Sequence, residues 1–154
     1  MATSTATRLI AENRRARFDF EFLERIEAGL VLSGTEVKAA REGKVQLAGA
    51  YAEIRDGEAW LVGVSIAEYD AGGGLGHEPE RDRKLLLHRR EIDSLYGKVR
   101  ERGLTLVPTR MYFKDGRAKV ELALARGRER YDKRRAIADR EAKRQVERAL
   151  RRRR

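Results

Sequence analysis

Two Asp-Gly pairs, Asp56-Gly57 and Asp115-Gly116, each stand between runs of alternating large apolar residues, and they limit most what this chain can fold into. Asp-Gly is a favoured two-residue hairpin turn because both central positions need positive φ. The segment "VQLAGAYAEIRDGEAWLVGVSI" therefore predicts two strands about the first turn. Val45, Leu47 and Tyr51 fall on one face, and Trp60, Val62 and Val64 share a face on the return. "LTLVPTRMYFKDGRAKVELAL" predicts the second hairpin, with Val107, Thr109, Met111 and Phe113 on one face and Val120, Leu122 and Leu124 on the other strand. Pro108 has no amide to donate, which assigns it to an edge or a bulge.

The remaining patterns fit between these hairpins. "ARFDFEFLERI" alternates with period two, placing Phe18, Phe20 and Phe22 on one strand face; Glu27-Ala28-Gly29 interrupts it and "LVLSG" continues as a second short strand. Residues 33–44 predict a short helix that Ser33 or Thr35 starts and Gly43 ends. Ile92, Leu95, Tyr96 and Val99 keep helical spacing up to Gly103, with Glu91 three residues after His88 as a weak capping box. Gly72-Gly73-Gly74 marks a flexible loop. About six short strands with helices between them predict a mainly β fold, an antiparallel β-barrel of the oligonucleotide-binding (OB) type. The expected organisation is a leader over 1–12, a barrel over 13–130 and a basic tail over 131–154.

The chain of 154 residues suits one domain, and its 39% charged content exceeds what a core's shell requires. The excess sits at one end. Residues 131–154 hold eleven Lys/Arg and four Asp/Glu, +7 of the chain's net +10. Such asymmetry points to a polyanionic partner. There is no cysteine, so disulfides and thiolate chemistry are excluded, which fits a cytoplasmic protein. No apolar run is long enough to span a bilayer, so no membrane partner is expected.

Signals for catalysis are weak. His77 and His88 lack metal-ligand spacing, and the glycines at 72–76 neither follow a strand nor precede G-K-[ST]. Glu27, Glu36 and Asp93 could join in a metal-dependent site, although abundant carboxylates usually only balance charge. The stronger signals are cationic. "NRRAR" at 13–17 stands beside the first strand, and "RDRKLLLHRR" surrounds three leucines with basic groups, so that Leu86 can be presented between them. Arginine suits phosphate because its planar fork donates two hydrogen bonds. In the tail, Arg140, Arg144 and Arg148 recur every four residues, and like charges at that spacing oppose a helix that the residue types otherwise favour. The tail is thus expected to be disordered when free and helical on RNA. Tyr131 has nothing apolar beside it and suits stacking on a base.

"NRRARFDF", "EAGLVLSGTEVKAAREGKV", "HEPERDRKLLLHRREIDSLYGKV", "GLTLVPTRMYFKDGRAKVELALARG" and "YDKR" occur in this order. Together they resemble the SsrA-binding protein (small protein B) family over 13–135. The resemblance implies a non-enzymatic, monomeric RNA-binding protein with no cofactor. Its partners would be transfer-messenger RNA, bound at the tRNA-like domain, and the ribosome, met at the small-subunit decoding centre and mRNA channel. Elongation factor Tu and alanyl-tRNA synthetase would act on the same RNA. The implied function is trans-translation: rescue of stalled ribosomes with tagging of the unfinished peptide. Residue by residue, Asn13, Arg14, Arg17, Glu27, Glu36, Lys38, Arg83, Lys84, Leu86 and Lys119 match RNA-binding motifs. Gly127, Tyr131, Asp132, Lys133 and Arg134, with Arg140, Arg144 and Arg148 of the tail, match ribosome-binding ones. Gln46, Gly49 and Ala50 depart from the family's N-x-x-D-S-Y, and Arg128 and Glu129 stand where lysines are common. A general RNA chaperone and a metal-dependent RNA nuclease are the alternatives.

Overall fold

The computed structural model describes residues 6–68, 76–128 and 130–152, with side chains from 137 onward in the last span. The Gly72–Gly74 loop lies outside the described residues. Strands β1 (Thr7–Glu12), β2 (Phe20–Leu30), β4 (Tyr51–Arg55), β5 (Glu58–Val62), β7 (Arg83–Leu86), β8 (Thr105–Lys114) and β9 (Arg117–Gly127) form one antiparallel sheet. Its order is β1-β8-β4-β5-β7-β2-β9, and the additional β8–β9 pairing closes six of these strands into a ring. A separate pair, β3 (Val45–Gln46) with β6 (Ser65–Ile66), lies beside it. The helices are α1 (Ala16–Asp19), α2 (Gly34–Arg41), α3 (Arg89–Arg102) and α4 (Arg130–Arg152).

Both Asp-Gly pairs make the expected turns. Arg55 pairs with Glu58 and Lys114 with Arg117, and all four turn residues have φ between 51° and 78°. Helix α2 begins with a full capping box: the Ser33 side chain accepts from the Glu36 amide while the Glu36 carboxylate accepts from the Ser33 amide. The core inside the ring combines Leu61, Leu85, Met111, Val120, Leu122 and Leu124, with Leu95 of α3 packed into it. Together these apolar surfaces supply most of the drive to close the ring.

Two β-bulges correct the expected side-chain phases. In β2 the register shifts between Phe22 and Glu24, so Phe20 and Phe22 face outward while Ile26, Ala28 and Leu30 face the core. Phe18 is not on the strand at all but in α1. The outward phenylalanines pack on a second small cluster of Ala16, Val107 and Ala125, by which α1 covers that end of the sheet. In β8 the shift lies between Pro108 and Arg110, so Val107 faces this outer cluster and Met111 and Phe113 the inner core. An extra residue on one strand inverts the alternation beyond it. Pro108 does sit at a bulge. On β5 the buried residues are Ala59 and Leu61, not Trp60 and Val62; Trp60 stands on the outer face under the Arg55 guanidinium, 5.3 Å from the ring centroid.

The expected strand break at Glu27–Gly29 is absent, because β9 pairs with β2 through Gly29. Thr7–Glu12, within the expected leader, forms β1 by pairing with the otherwise open edge of β8. Helix α4 runs out from the end of β9, its described side chains all exposed. Arg140 stacks on Phe18 of α1, 4.0 Å from the ring centroid.

Candidate nucleic-acid interface

Antiparallel pairing sets one outward row across four strands. Glu27 and Gly29 of β2 alternate with buried Ala28 and Leu30; Lys119 pairs with Gly29 on one side and with Tyr112 of β8 on the other. Leu86 of β7 pairs with Gly29 from the opposite edge. A Cβ on Gly29 would stand 3.1 Å from Leu86 Cβ, so the absent side chain is what lets β7 approach this closely. The result is a groove of about 980 Å³ whose walls include Glu27, Lys84, Leu86, Arg89, Arg117 and Lys119. Leu86 is 55% exposed there, an apolar side chain among cations.

Glu27 is the one acidic residue of the expected RNA set that reaches this groove. It accepts a hydrogen bond from the Tyr112 hydroxyl, and Lys114 Nζ lies 3.3 Å from Oε1. The Tyr112 bond, the largest influence, together with Lys114 and Lys119 holds its pKa below the ordinary value against the opposing effect of burial. Lys84 Nζ is 3.2 Å from Glu58, and Arg89 donates to the Gly57 carbonyl at 2.8 Å. These are solvent-exposed pairs, weak enough to exchange for phosphate.

Three expected RNA contacts instead serve the fold. Glu36 and Arg83 have fully buried side chains, 0% exposed. Arg83 Nε donates to Glu36 at 2.6 Å, and its remaining donors reach the carbonyls of Val64, Arg81 and Pro79 at 2.8–2.9 Å. Arg81 also clamps Glu36. Burial would raise the Glu36 pKa, but hydrogen bonds from Arg81, the Ser33 amide and Arg83 outweigh it and bring it to about 2. Asn13, the third, is 7% exposed; its side chain donates to the Pro108 carbonyl at 3.0 Å, satisfying an acceptor at the β8 bulge. A buried His77 is likewise structural. Its Nε2 must donate to the Ile66 carbonyl, 2.9 Å away, so in the neutral ring Nδ1 accepts from Thr35 at 2.9 Å.

The other expected residues are placed as follows. Arg14 and Lys38 are exposed, and neither lines the groove. Arg17 lines a smaller cleft with Arg25, Arg110 and Phe22. Gly127 ends β9. Tyr131, Asp132, Lys133 and Arg134 belong to the first turns of α4, and their side chains lie outside those described. Arg140, Arg144 and Arg148 are exposed along α4. Gln46 is in β3, and Gly49 and Ala50 form the turn before β4 with Ala50 facing the core. Arg89 belongs to the basic run at 81–90 and opens α3, whereas Arg25, Arg110, Lys114 and Arg117 carry no sequence signal beyond positive charge in strand-forming runs. Among the described residues no three His, Cys, Asp or Glu gather as a metal site. Glu36 and Asp93 each meet arginine, and Glu27 meets lysine.

An antiparallel ring with a basic, partly apolar groove on its outer face and a cationic helix beyond it defines a barrel protein suited to a polyanion. The family model described as SmpB protein matches residues 10–152. The SsrA-binding proteins of Frankia casuarinae and Thermobifida fusca are 58% and 59% identical, over 99% and 94% of this chain and 96% and 91% of theirs. A chain from a solved structure described as "tmRNA-SmpB: a journey to the center of the bacterial ribosome" is 50% identical with a TM-score of 0.67, covering 82% of this chain and 93% of that one. The chain belongs to the SmpB family.

Proposed function

We propose that this protein binds the tRNA-like domain of transfer-messenger RNA through the Glu27–Leu86–Lys119 groove and delivers it to stalled ribosomes for trans-translation. The observation that carries this is convergence: Glu27, the Lys84–Leu86 strand and Lys119, three segments far apart in sequence, line one groove. Lysines and arginines there neutralise phosphates and release counterions, which gives affinity that falls with salt. Glu27 accepts hydrogen bonds from base amino or imino groups or a ribose hydroxyl, which gives discrimination. Leu86 offers a face on which an unstacked base or sugar excludes water.

The tail has a separate task. On the small subunit, α4 enters the mRNA channel when no mRNA fills it, and Tyr131 stacks on a ribosomal base at the decoding centre. The protein itself catalyses no reaction and acts in the cytoplasm as a monomer. Sequencing the RNA that copurifies from the host tests the proposal, with transfer-messenger RNA as the expected dominant species. Equal displacement of that RNA by unrelated structured RNAs at near-physiological salt would refute specific binding and favour a general chaperone.

A further inference from the structure

We propose that Tyr112 is a positioning residue for RNA recognition: its hydroxyl, donated to Glu27, fixes how that carboxylate presents its remaining lone pairs to the groove. This rests on the groove reading above. Tyr112 is 6% exposed, on the outward face of β8, with the Arg110 guanidinium 5.5 Å from its ring centroid. A buried phenol needs a partner, and here the partner is a half-exposed carboxylate at the groove's edge.

The surroundings explain why Glu27 needs such a bond. In the β2–β9 register Glu27 lies directly opposite Glu121, a cross-strand pair of like charges that costs stability unless each finds its own partners. The structure divides the local cations and donors between them. Glu121 takes Arg110 at 3.1 Å and the Thr109 hydroxyl at 2.7 Å. Glu27 takes Tyr112, and more loosely Lys114 at 3.3 and 3.4 Å, with Lys119 nearby on β9. A carboxylate has roughly four lone-pair sites. Tyr112 occupies one and Lys114 reaches the group more loosely, so acceptor capacity remains for RNA, and the Tyr112 bond sets its direction. Burial and the Glu27 charge push the Tyr112 pKa up, so the phenol remains a donor. The Glu27 pKa is lowered, so the group remains an acceptor. A protonated Glu27 would offer RNA a donor where it now offers acceptors.

Tyr112→Phe keeps the ring under Arg110 and removes only the donor. The test compares wild type, Tyr112→Phe, Glu27→Gln and the double variant, using the isolated tRNA-like domain as probe. RNA affinity is measured at about pH 4 and about pH 7, either side of the region where an ordinary glutamate titrates. The Glu27 carboxyl is titrated by NMR in the RNA-free protein. In Tyr112→Phe the Glu27 midpoint should rise, and binding should weaken by about tenfold, the scale of coupled neighbours. That loss should grow towards the acid end, where the unassisted carboxylate takes a proton. In the Glu27→Gln background, Tyr112→Phe should have no further effect and no pH dependence. Equal losses in both backgrounds would make Tyr112 merely structural and overturn the inference. Weakened binding by Glu27→Gln with Tyr112→Phe at full affinity would overturn the role of Tyr112 alone. Full affinity in Glu27→Gln would sink the groove reading and the inference with it.

Discussion

Replacing Glu36 with glutamine separates a folding carboxylate from the one proposed to bind RNA. The side chain is fully buried and receives Arg83 at 2.6 Å, Arg81 at 3.0 Å and the Ser33 amide at 2.8 Å. Its pKa falls from 4.5 to about 2 on folding. At 1.36 kcal/mol per unit, the ionised form contributes about 3 kcal/mol to stability at neutral pH. Glutamine keeps the shape but leaves Arg83 buried without a counter-charge, a change of the kind that costs about 3–5 kcal/mol. Both routes predict a loss near 3 kcal/mol, or about 10 °C in Tm for a domain of this size.

The pH dependence adds a second constraint. The folded pKa lies below the unfolded one, so the contribution is complete above pH 4.5 and disappears as pH falls towards about 2. The glutamine has no such proton, so the gap between variant and wild type should narrow across that window. Urea unfolding followed by the fluorescence of Trp60, the sole tryptophan, measures both. A gap under about 1 kcal/mol at neutral pH, or one unchanged on acidification, would refute the buried-pair reasoning. At a temperature where the variant stays folded, its RNA affinity should remain near wild type. A loss as large as that of Glu27→Gln would return Glu36 to the interface. The clamp matters to the groove only indirectly, because Arg83 opens β7, whose Lys84 and Leu86 line it.

Lys119→Ala should weaken RNA binding at low salt and reduce the slope of log K against log salt by about 1, as for one lost phosphate contact; filter binding over a salt series reads this, and an unchanged slope would remove Lys119 from the phosphate path. Gly29→Ala places a Cβ 3.1 Å from Leu86 Cβ and should push β7 outward, lowering RNA affinity more than Lys38→Ala does while the protein stays folded. Equal affinities of these two variants in a gel-shift titration would count against Leu86 as a contact. Tyr131→Ala should impair peptide tagging on stalled ribosomes while leaving binding of the free tRNA-like domain intact, and parallel losses in the two assays would contradict base stacking on the ribosome.

What could be read directly was local. The Asp-Gly turns and the helix start at Ser33, one of the two starts the sequence offered, depend on residues within four positions of each other, and the structure has both. Faces were legible only as far as the next bulge: at Leu23 and Thr109 one extra residue inverted the alternation, and nothing in a period-two pattern announces that. Buried charge was illegible for a different reason. Glu36 and Arg83 are 47 residues apart, and each alone reads as a surface group. Leu86 was readable because an apolar residue between cations has two plausible destinations, and exposure decided between them. Nothing in the apolar strand run around Tyr112 marks it out; only the register that brings it beside Glu27 and Lys119 gives it a role.

The tail raises the question of what holds a helix with no core. Along α4, Ile137, Val146 and Leu150 are each more than half exposed, so burial on the barrel contributes little. Arg140 over Phe18 is a single cation–π contact of about 0.5–1 kcal/mol at an exposed site. Against it stand the Arg140–Arg144 and Arg144–Arg148 repulsions, about 0.2–0.5 kcal/mol each, and the Arg144–Glu141 pair at 3.9 Å offsets only part of that. Intrinsic propensity favours helix, but most helical stability in proteins comes from packing an apolar face, which the described side chains of α4 do not do. Phosphates beside the arginine face would reverse the sign of the repulsions. The helical signal assigned to residues 131–154, taken as the circular-dichroism difference between full-length and truncated protein, should therefore be small at low salt and rise on adding a polyanion. Truncation should leave the barrel's unfolding transition unchanged. A difference spectrum already fully helical without polyanion, or a barrel destabilised by the truncation, would mean that contacts within the protein, not a ribosomal partner, support the helix.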